Sequence, residues 1–136
     1  MTDLIRLLTR AQKLLRAASD EAMRQHGVRI GQNLVLEVLW ETDGLTPGEL
    51  ASRMGVTTPT VVNTATRMEA AGLLRRRPDP TDGRLVRLYL TAKARAAQQP
   101  IQEARRRLAE RATATLTEAE RRHLASALEK IIEQMS

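Results

Sequence analysis

Basic side chains are concentrated in one short segment of this 136-residue chain. The formal net charge is +6, and residues 73–95 carry +5 of it, while the segments on either side are close to neutral. Within this segment the charged residues are Arg75, Arg76, Arg77, Arg84, Arg87, Lys93 and Arg95 against Asp79 and Asp82. Guanidinium groups match phosphate oxygens and the acceptor edges of bases. Such a cluster indicates contact with a polyanion, although a solvated basic face is an open alternative at this point.

A second candidate surface precedes that segment, on a helix predicted over about Pro59–Ala71. At about 100° per residue, Val61, Ala65 and Met68 fall on one face of this helix. The opposite face is polar and holds Thr60, Asn63, Thr64 and Arg67 without an acidic residue. Asn and Arg side chains can make paired hydrogen bonds to base edges. At the start of the helix, Thr58 and Thr60 could bind a phosphate, or Thr58 could cap the helix, and the two roles are compatible.

Other kinds of chemistry find little support. The chain has no cysteine, which excludes disulfides, thiolate metal sites and thiol-based oxidation sensing. His26 and His123 are isolated from other ligands at metal-binding spacing, so no metal is expected. No nucleophile and base, phosphate-binding glycine loop or carboxylate pair can be assembled, so we expect neither an enzyme nor a cofactor. Without a run of roughly 20 apolar residues or a signal pattern, a cytoplasmic protein with no membrane partner is expected.

The elements that would position these residues have strong local signals. An amphipathic helix is predicted before Gly27, and a buried helix over Leu34–Trp40, with Trp40 either in the core or lining a ligand pocket. Thr46-Pro47-Gly48-Glu49 is a capping box with proline at the first helical position, and Gly55 suits the end of that helix. Thr58-Pro59 repeats the cap-then-proline pattern. Two helices joined by a tight glycine turn have the spacing of a helix-turn-helix.

The arginine-rich segment itself is predicted to be a β-hairpin, or wing. Val86, Leu88 and Leu90 alternate with polar residues, as in a half-buried strand. Asp82-Gly83, preceded by two prolines, marks the turn. Because Arg75 and Arg77 alternate with Arg76, all three cannot face the same way. We expect two of them to reach phosphate and one to be structural.

Helices outside this winged unit are predicted to join two copies of the chain. Thr91 caps a helix in which Pro100 should cause a bend near residues 96–99 rather than an end. Thr117-Glu118-Ala119-Glu120 is a capping box for a last helix. The first helix and the last two carry apolar stripes, but they have too few bulky side chains to form a second closed core. Pairing with another copy would cover these stripes, so we expect a two-fold homodimer.

The order of these elements resembles that of the MarR family, the multiple antibiotic resistance regulators. The resemblance covers essentially the whole chain and is carried by Leu45-Thr46-Pro47-Gly48-Glu49-Leu50-Ala51, Met54-Gly55-Val56, Thr60-Val61, Glu69-Ala70-Ala71-Gly72-Leu73, Arg76-Arg77-Pro78-Asp79-Pro80, Asp82-Gly83-Arg84 and Leu90-Thr91-Ala92-Lys93. It implies a mainly α fold with a small β-hairpin wing. The whole chain, residues 1–136, would be one domain, with a winged helix-turn-helix over 30–91 and dimerisation helices over 1–26 and 92–136.

The resemblance also implies roles for individual residues. The helix after Thr58 would enter the major groove of DNA, and Arg84 would reach into the flanking minor groove. Asp82 would orient nearby arginines such as Arg76 or Arg84, unless it serves only the turn. Many family members have Arg and Asp where this chain has Asn63 and Thr66, so its operator preference should differ. Asn63 could contact adenine instead.

The function implied is that of a sequence-specific regulator of transcription. It would bind a pseudo-palindromic operator in double-stranded DNA as a homodimer, most often as a repressor that a small ligand releases. Family members commonly bind anionic aromatic effectors between the dimer helices and the winged unit, where this sequence offers no motif. A non-specific architectural DNA-binding protein of the same fold is the main alternative. A winged helix used only for protein contacts is disfavoured by the strongly basic wing.

Overall fold

Nine elements follow one another in the computed structural model, which describes residues 2–29 and 31–136. They are α1 (Leu4–Arg24), α2 (Gln32–Glu41), α3 (Pro47–Met54), α4 (Thr58–Ala70), β1 (Leu74–Pro78), β2 (Val86–Leu90), α5 (Ala92–Ala96), α6 (Gln98–Ala112) and α7 (Glu118–Met135). The predicted fold class, mainly α with a β-hairpin wing, is confirmed. Two of the predicted domain limits, residues 1 and 30, lie outside the described residues.

The helix-turn-helix consists of α3 and α4. The Thr46 hydroxyl accepts a hydrogen bond from the Glu49 amide at 3.2 Å and donates to the Glu49 carboxylate, so Glu49 reaches the hydroxyl rather than the backbone of Thr46. Gly55 ends α3 at φ 69°, a left-handed conformation that glycine adopts without a Cβ clash. The predicted cap at Thr58 is wrong: the N-cap of α4 is Thr57, whose hydroxyl accepts from the Thr60 amide. Thr58 is therefore the first residue of α4 and Pro59 the second. Proline is tolerated there because amides of the first helical turn have no acceptor within the helix.

Strands β1 and β2 form an antiparallel hairpin that a third short segment extends. Leu74 pairs with Leu90 and Pro78 with Val86, and Leu45 bridges to Leu88 on the other side of β2. Because residues directly opposite each other share a face of a sheet, the inner face carries Leu74, Leu88 and Leu90. All three are buried, which confirms the alternation predicted for β2 at Leu88 and Leu90, whereas Val86 at the start of the strand is exposed.

The core is aliphatic and lies between the helix-turn-helix, the wing and α2. Its largest fully buried side chains are Leu36, Leu39, Leu50, Met68, Leu73, Leu74, Leu88, Ile101, Val28, Val35 and Val61. Trp40 packs against this core, and its indole Nε1 donates to the Ala94 carbonyl at 3.1 Å. This bond joins α2 to α5, the helix that directly follows the wing.

The helix after Thr91 is interrupted within the predicted range 96–99, although it forms two helices, α5 and α6, rather than one bent helix. The helix that Thr91 caps is interrupted at the single residue Ala97, which separates α5 from α6 and keeps right-handed helical angles. Proline at position 100 has no amide donor and crowds the carbonyl of Ala96, so that carbonyl lacks its usual helical hydrogen bond. After this interruption, Arg105 of α6 forms an ion pair with Glu37 of α2.

Helices α1 and α7 leave most of their apolar residues uncovered. The exposed large hydrophobic residues on these two helices are Leu4, Ile5, Leu7, Leu8, Leu14, Leu15, Leu124, Leu128, Ile131, Ile132 and Met135. Helix α7 has no buried residue, although Thr117 and Glu120 close its capping box as predicted. Within residues 2–29 and 31–136, no helix has both the length and the apolar character needed to cross a bilayer.

Candidate nucleic-acid interface

The outward face of α4 is the first part of the candidate interface. Val61, Ala65 and Met68 are buried, which turns Thr60, Asn63 and Arg67 to solvent and leaves Thr64 half-buried. Among the described residues, no protein group forms a hydrogen bond or ion pair with the side chains of Asn63 and Arg67. Their donors and acceptors are therefore available to a partner, and the face has no carboxylate that would repel phosphate.

The threonines at the start of α4 have two different roles. The hydroxyls of Thr57 and Thr60 lie 2.9 Å apart and share a hydrogen bond, so Thr60 is part of the cap. The Thr58 side chain is exposed and is not needed for capping. Because the N-terminus of a helix carries a partial positive charge, this turn suits an anion such as phosphate.

Arg84 stands at the tip of the wing with 90% of its side chain exposed. Its Nε and Nη2 donate to the two carboxylate oxygens of Asp82 at 3.1 and 3.2 Å, and its amide also donates to Asp82. The predicted pairing of Asp82 with Arg84 is thus present. The Arg84 guanidinium, assisted by its amide, lowers the pKa of Asp82. Asp82 therefore stays ionised and holds the Arg84 guanidinium by two hydrogen bonds.

Arg76 does not pair with Asp82, so that part of the prediction is wrong. It lies on the inner side of β1 and reaches α4, where its Nε is 2.9 Å from the Glu69 carboxylate. Its Nη2 donates to the Thr66 hydroxyl at 2.7 Å, and that hydroxyl donates to the Val62 carbonyl. Arg76 therefore ties the wing to α4 and is the structural member of the three consecutive arginines.

Arg75 and Arg77 lie on the outer face of the wing, away from α4. Arg75 is opposite Tyr89 and Arg77 is opposite Arg87. Together with Tyr89 and Arg95 they line a shallow groove of about 320 Å³. Within the described residues, no carboxylate lies within ion-pair distance of Arg75 or Arg77, whereas Arg95 pairs with Asp43 at 3.2 Å. Much of the uncompensated charge of residues 73–95 is therefore on this outer face.

Asp79 has a role in the wing that the sequence does not predict. This side chain is only 7% exposed, and its Oδ1 accepts from the Thr81 amide, the Thr81 hydroxyl and the Asp82 amide at 2.7–2.9 Å. Its Oδ2 accepts from Nε of Arg87 at 2.5 Å. The Arg87 guanidinium, followed by Thr81, holds the pKa of Asp79 far below its ordinary value. The Asp-Pro-Thr-Asp order is typical of a turn closed by an aspartate, but the arginine partner is on the other strand.

A separate groove of about 380 Å³ lies between α1 and α6. Its lining includes Ala18, Ala22 and Leu108 together with His26, Arg107 and Arg111. The lining is thus partly apolar and partly polar, and its two guanidinium groups can bind an anion. In the described part of the chain, no group of three His, Cys, Asp or Glu side chains could hold a metal ion.

Comparison with known proteins gives one consistent result. Residues 29–86 match the model of the MarR family. HTH-type transcriptional repressor Rv2887 of Mycobacterium tuberculosis is 32% identical over 126 residues, which cover 92% of this chain and 90% of the repressor. HTH-type transcriptional regulator TtmR of Methylorubrum extorquens is 40% identical over 73 residues, 54% of this chain but only 37% of that protein.

Solved structures agree over nearly the full length. A mutant of MarR from E. coli, in complex with operator DNA, superposes with a TM-score of 0.84 at 26% identity and covers 94% of this chain and 92% of that one. The transcriptional regulator SlyA superposes with a TM-score of 0.86 at 23% identity over 98% of this chain and 94% of SlyA, which supports the fold alone.

Proposed function

This chain belongs to the MarR family of DNA-binding transcriptional regulators, and we propose that it is a ligand-responsive repressor that binds a pseudo-palindromic operator as a homodimer. Its relatives and its fold are those of regulators rather than enzymes. The observation that carries the proposal is the outward face of α4, where the side chains of Asn63 and Arg67 have no hydrogen-bond or ion-pair partner within residues 2–29 and 31–136. We expect the protein to act in the cytoplasm, where the operator DNA lies.

Two parts of the chain would contact DNA in different ways. Asn63 and Arg67 are suited to adenine and guanine edges in the major groove, and Thr64 lies beside them. Thr58 and Thr60 at the start of α4, with Arg75 and Arg77 on the wing, would contact phosphates and set the position of the protein on the duplex. Arg84, held by Asp82, would enter the minor groove, where narrow A·T-rich steps have the most negative potential.

The homodimer follows from the uncovered apolar faces of α1 and α7. Two α4 helices must lie about one turn of DNA apart, roughly 34–36 Å, to enter successive major grooves on one face of the duplex. The E. coli MarR mutant solved with operator DNA supports this arrangement by its similarity to the present chain.

The groove between α1 and α6 is the place where we propose that a small anionic aromatic effector binds. Arg107 and Arg111 would hold its anionic group and Leu108 would contact its ring. The groove lies between α1, which we assign to the dimer interface, and α6, which begins directly after Ala97. In one state of the dimer the distance between the two α4 helices would allow DNA binding, and in another it would not. A ligand that binds the second state more tightly would increase its population and so release DNA.

Selection of bound fragments from random duplex DNA tests the proposal against the architectural alternative. We expect a palindrome with half-sites one helical turn apart, protected well above the background of non-specific sites. Asn63→Ala and Arg67→Ala should each weaken binding to that palindrome by about 5- to 150-fold, which corresponds to about 1–3 kcal/mol. Arg24→Ala, which removes an arginine from α1, is the matched control. Uniform protection without a preferred sequence would establish the architectural function instead.

A further inference from the structure

One guanidinium connects three separate segments at the base of the wing. Nε of Arg87 on β2 donates to Asp79 at the start of the wing loop, and its Nη1 donates to the Gly44 carbonyl at 2.8 Å. Nη1 also lies 3.5 Å from the carboxylate of Glu49 in the first turn of α3. We name Asp79, Arg87, Glu49 and the Gly44 carbonyl the wing latch.

The latch continues to the tip of the wing. The second oxygen of Asp79 binds the amides of Thr81 and Asp82, and Asp82 holds Arg84 by two side-chain bonds. Backbone bonds from Asp79 to Leu85 and from Leu85 to Asp82 close the same loop. An unbroken series of polar contacts therefore runs from α3 of the helix-turn-helix to the exposed guanidinium of Arg84.

Apolar packing does not hold this part of the wing. Val86 is 38% exposed and Leu85 is 45% exposed, whereas Leu88, closer to the base, is fully buried. A two-stranded hairpin without an apolar face is only marginally ordered. An exposed ion pair alone would add little order, but both oxygens of the nearly buried Asp79 are engaged, and Arg87 has contacts on three sides.

We propose that Asp79 and Arg87 are positioning residues, which fix Arg84 relative to α4 and so set the preference of the protein for the DNA that flanks each half-site. This inference rests on the proposed function. A loop ordered before binding loses less freedom when Arg84 enters the minor groove. The latch also fixes the distance between the groove that α4 enters and the groove that Arg84 enters. Loosening it should remove the contribution of Arg84 and leave the contribution of Asn63 and Arg67.

A double-mutant cycle on DNA affinity tests the latch. With the selected palindrome, Arg84→Ala should weaken binding by about tenfold in the wild-type protein but by about threefold or less in the Asp79→Asn background, because coupled residues are not additive. Arg87→Lys keeps the positive charge but removes the guanidinium that bonds to several partners at once. In this background too, Arg84→Ala should weaken DNA binding by about threefold or less. Asp20→Asn is the matched control, because Asp20 pairs with Arg24 on α1 and contacts no group of the latch. In that background Arg84→Ala should keep its full tenfold effect.

A second measurement needs no DNA. The backbone ¹⁵N order parameter of Gly83 should fall from about 0.85, typical of rigid backbone, to below about 0.6 in Asp79→Asn while that of Leu88 is unchanged. An unchanged Gly83, or an equal effect of Arg84→Ala in both backgrounds, overturns the latch and leaves the proposed function standing. If Arg84→Ala has no effect even in the wild type, the minor-groove contact of the proposed function fails and the latch fails with it.

Discussion

Shortening Ile132 to alanine should weaken the dimer without unfolding the protomer. Ile132 lies on α7 and is 64% exposed in the single chain. Because burying an isoleucine side chain contributes roughly 1.5–3 kcal/mol, covering the exposed part contributes about 1–2 kcal/mol. Two-fold symmetry doubles this to about 2–4 kcal/mol per dimer. The dimer dissociation constant should therefore rise by about 30- to 1,000-fold.

Sedimentation equilibrium over a range of protein concentrations measures this change directly. Circular dichroism at low concentration, where both proteins are monomeric, should show nearly the same helix content for the variant and the wild type. Leu85→Ala is the matched control, since Leu85 is also exposed, at 45%, but lies on the wing. Its dimer constant should equal that of the wild type. An unchanged dimer constant for Ile132→Ala would refute the assignment of α7 to the interface, and so would a wild-type chain that stays monomeric.

Three further predictions concern stability. Gly44→Ala should destabilise the fold by about 1–2 kcal/mol from its left-handed backbone alone, and by more because the new Cβ would lie 2.7 Å from Cε1 of Tyr89; urea unfolding with a wild-type midpoint would contradict this. Thr57→Ala should cost about 1 kcal/mol in the same assay and Thr58→Ala clearly less, because Thr57 is the cap; equal losses would return the cap to Thr58. Asp79 has a lowered folded pKa, so its carboxylate stabilises the fold above the unfolded pKa of about 4 and this contribution is lost as the pH falls towards the folded value. The stability advantage of the wild type over Asp79→Asn should therefore be constant from pH 7 to 5 and shrink between pH 4 and 2, and a difference independent of pH would show that ionisation of Asp79 is not involved.

Signals that act within a few residues predicted much of this fold. Gly55 ends α3, Thr117 caps α7, and the helix is interrupted at Ala97 shortly before Pro100, each because of a local backbone constraint. The alternation of β2 identified the wing, since the side chains on one face of a strand must find a core. The family resemblance is confirmed by the match of residues 29–86 to the MarR family model and by the 32% identity with the mycobacterial repressor.

The errors arose where the outcome depends on contacts across the fold. Two adjacent threonines can each cap α4, and in the fold the Thr60 amide donates to the hydroxyl of Thr57 rather than to that of Thr58. Alternation showed that the three arginines of β1 diverge, but only the pairing of β1 with β2 shows that Arg76 faces α4. The contact of Asp79 with Arg87 spans the hairpin, so no local pattern predicts it.

Helix α7 contributes no buried side chain to its own protomer, and this has a consequence for the abundance of the protein. Because most helical stability comes from packing of an apolar face, we expect its 18 residues to be more stably helical once a second chain covers them. A chain synthesised at low copy number therefore exposes its carboxyl-terminal helix to proteases until it meets another. The lifetime of the regulator should thus rise with its own concentration, so that a cell either keeps enough molecules to occupy the operator or clears the few that it has.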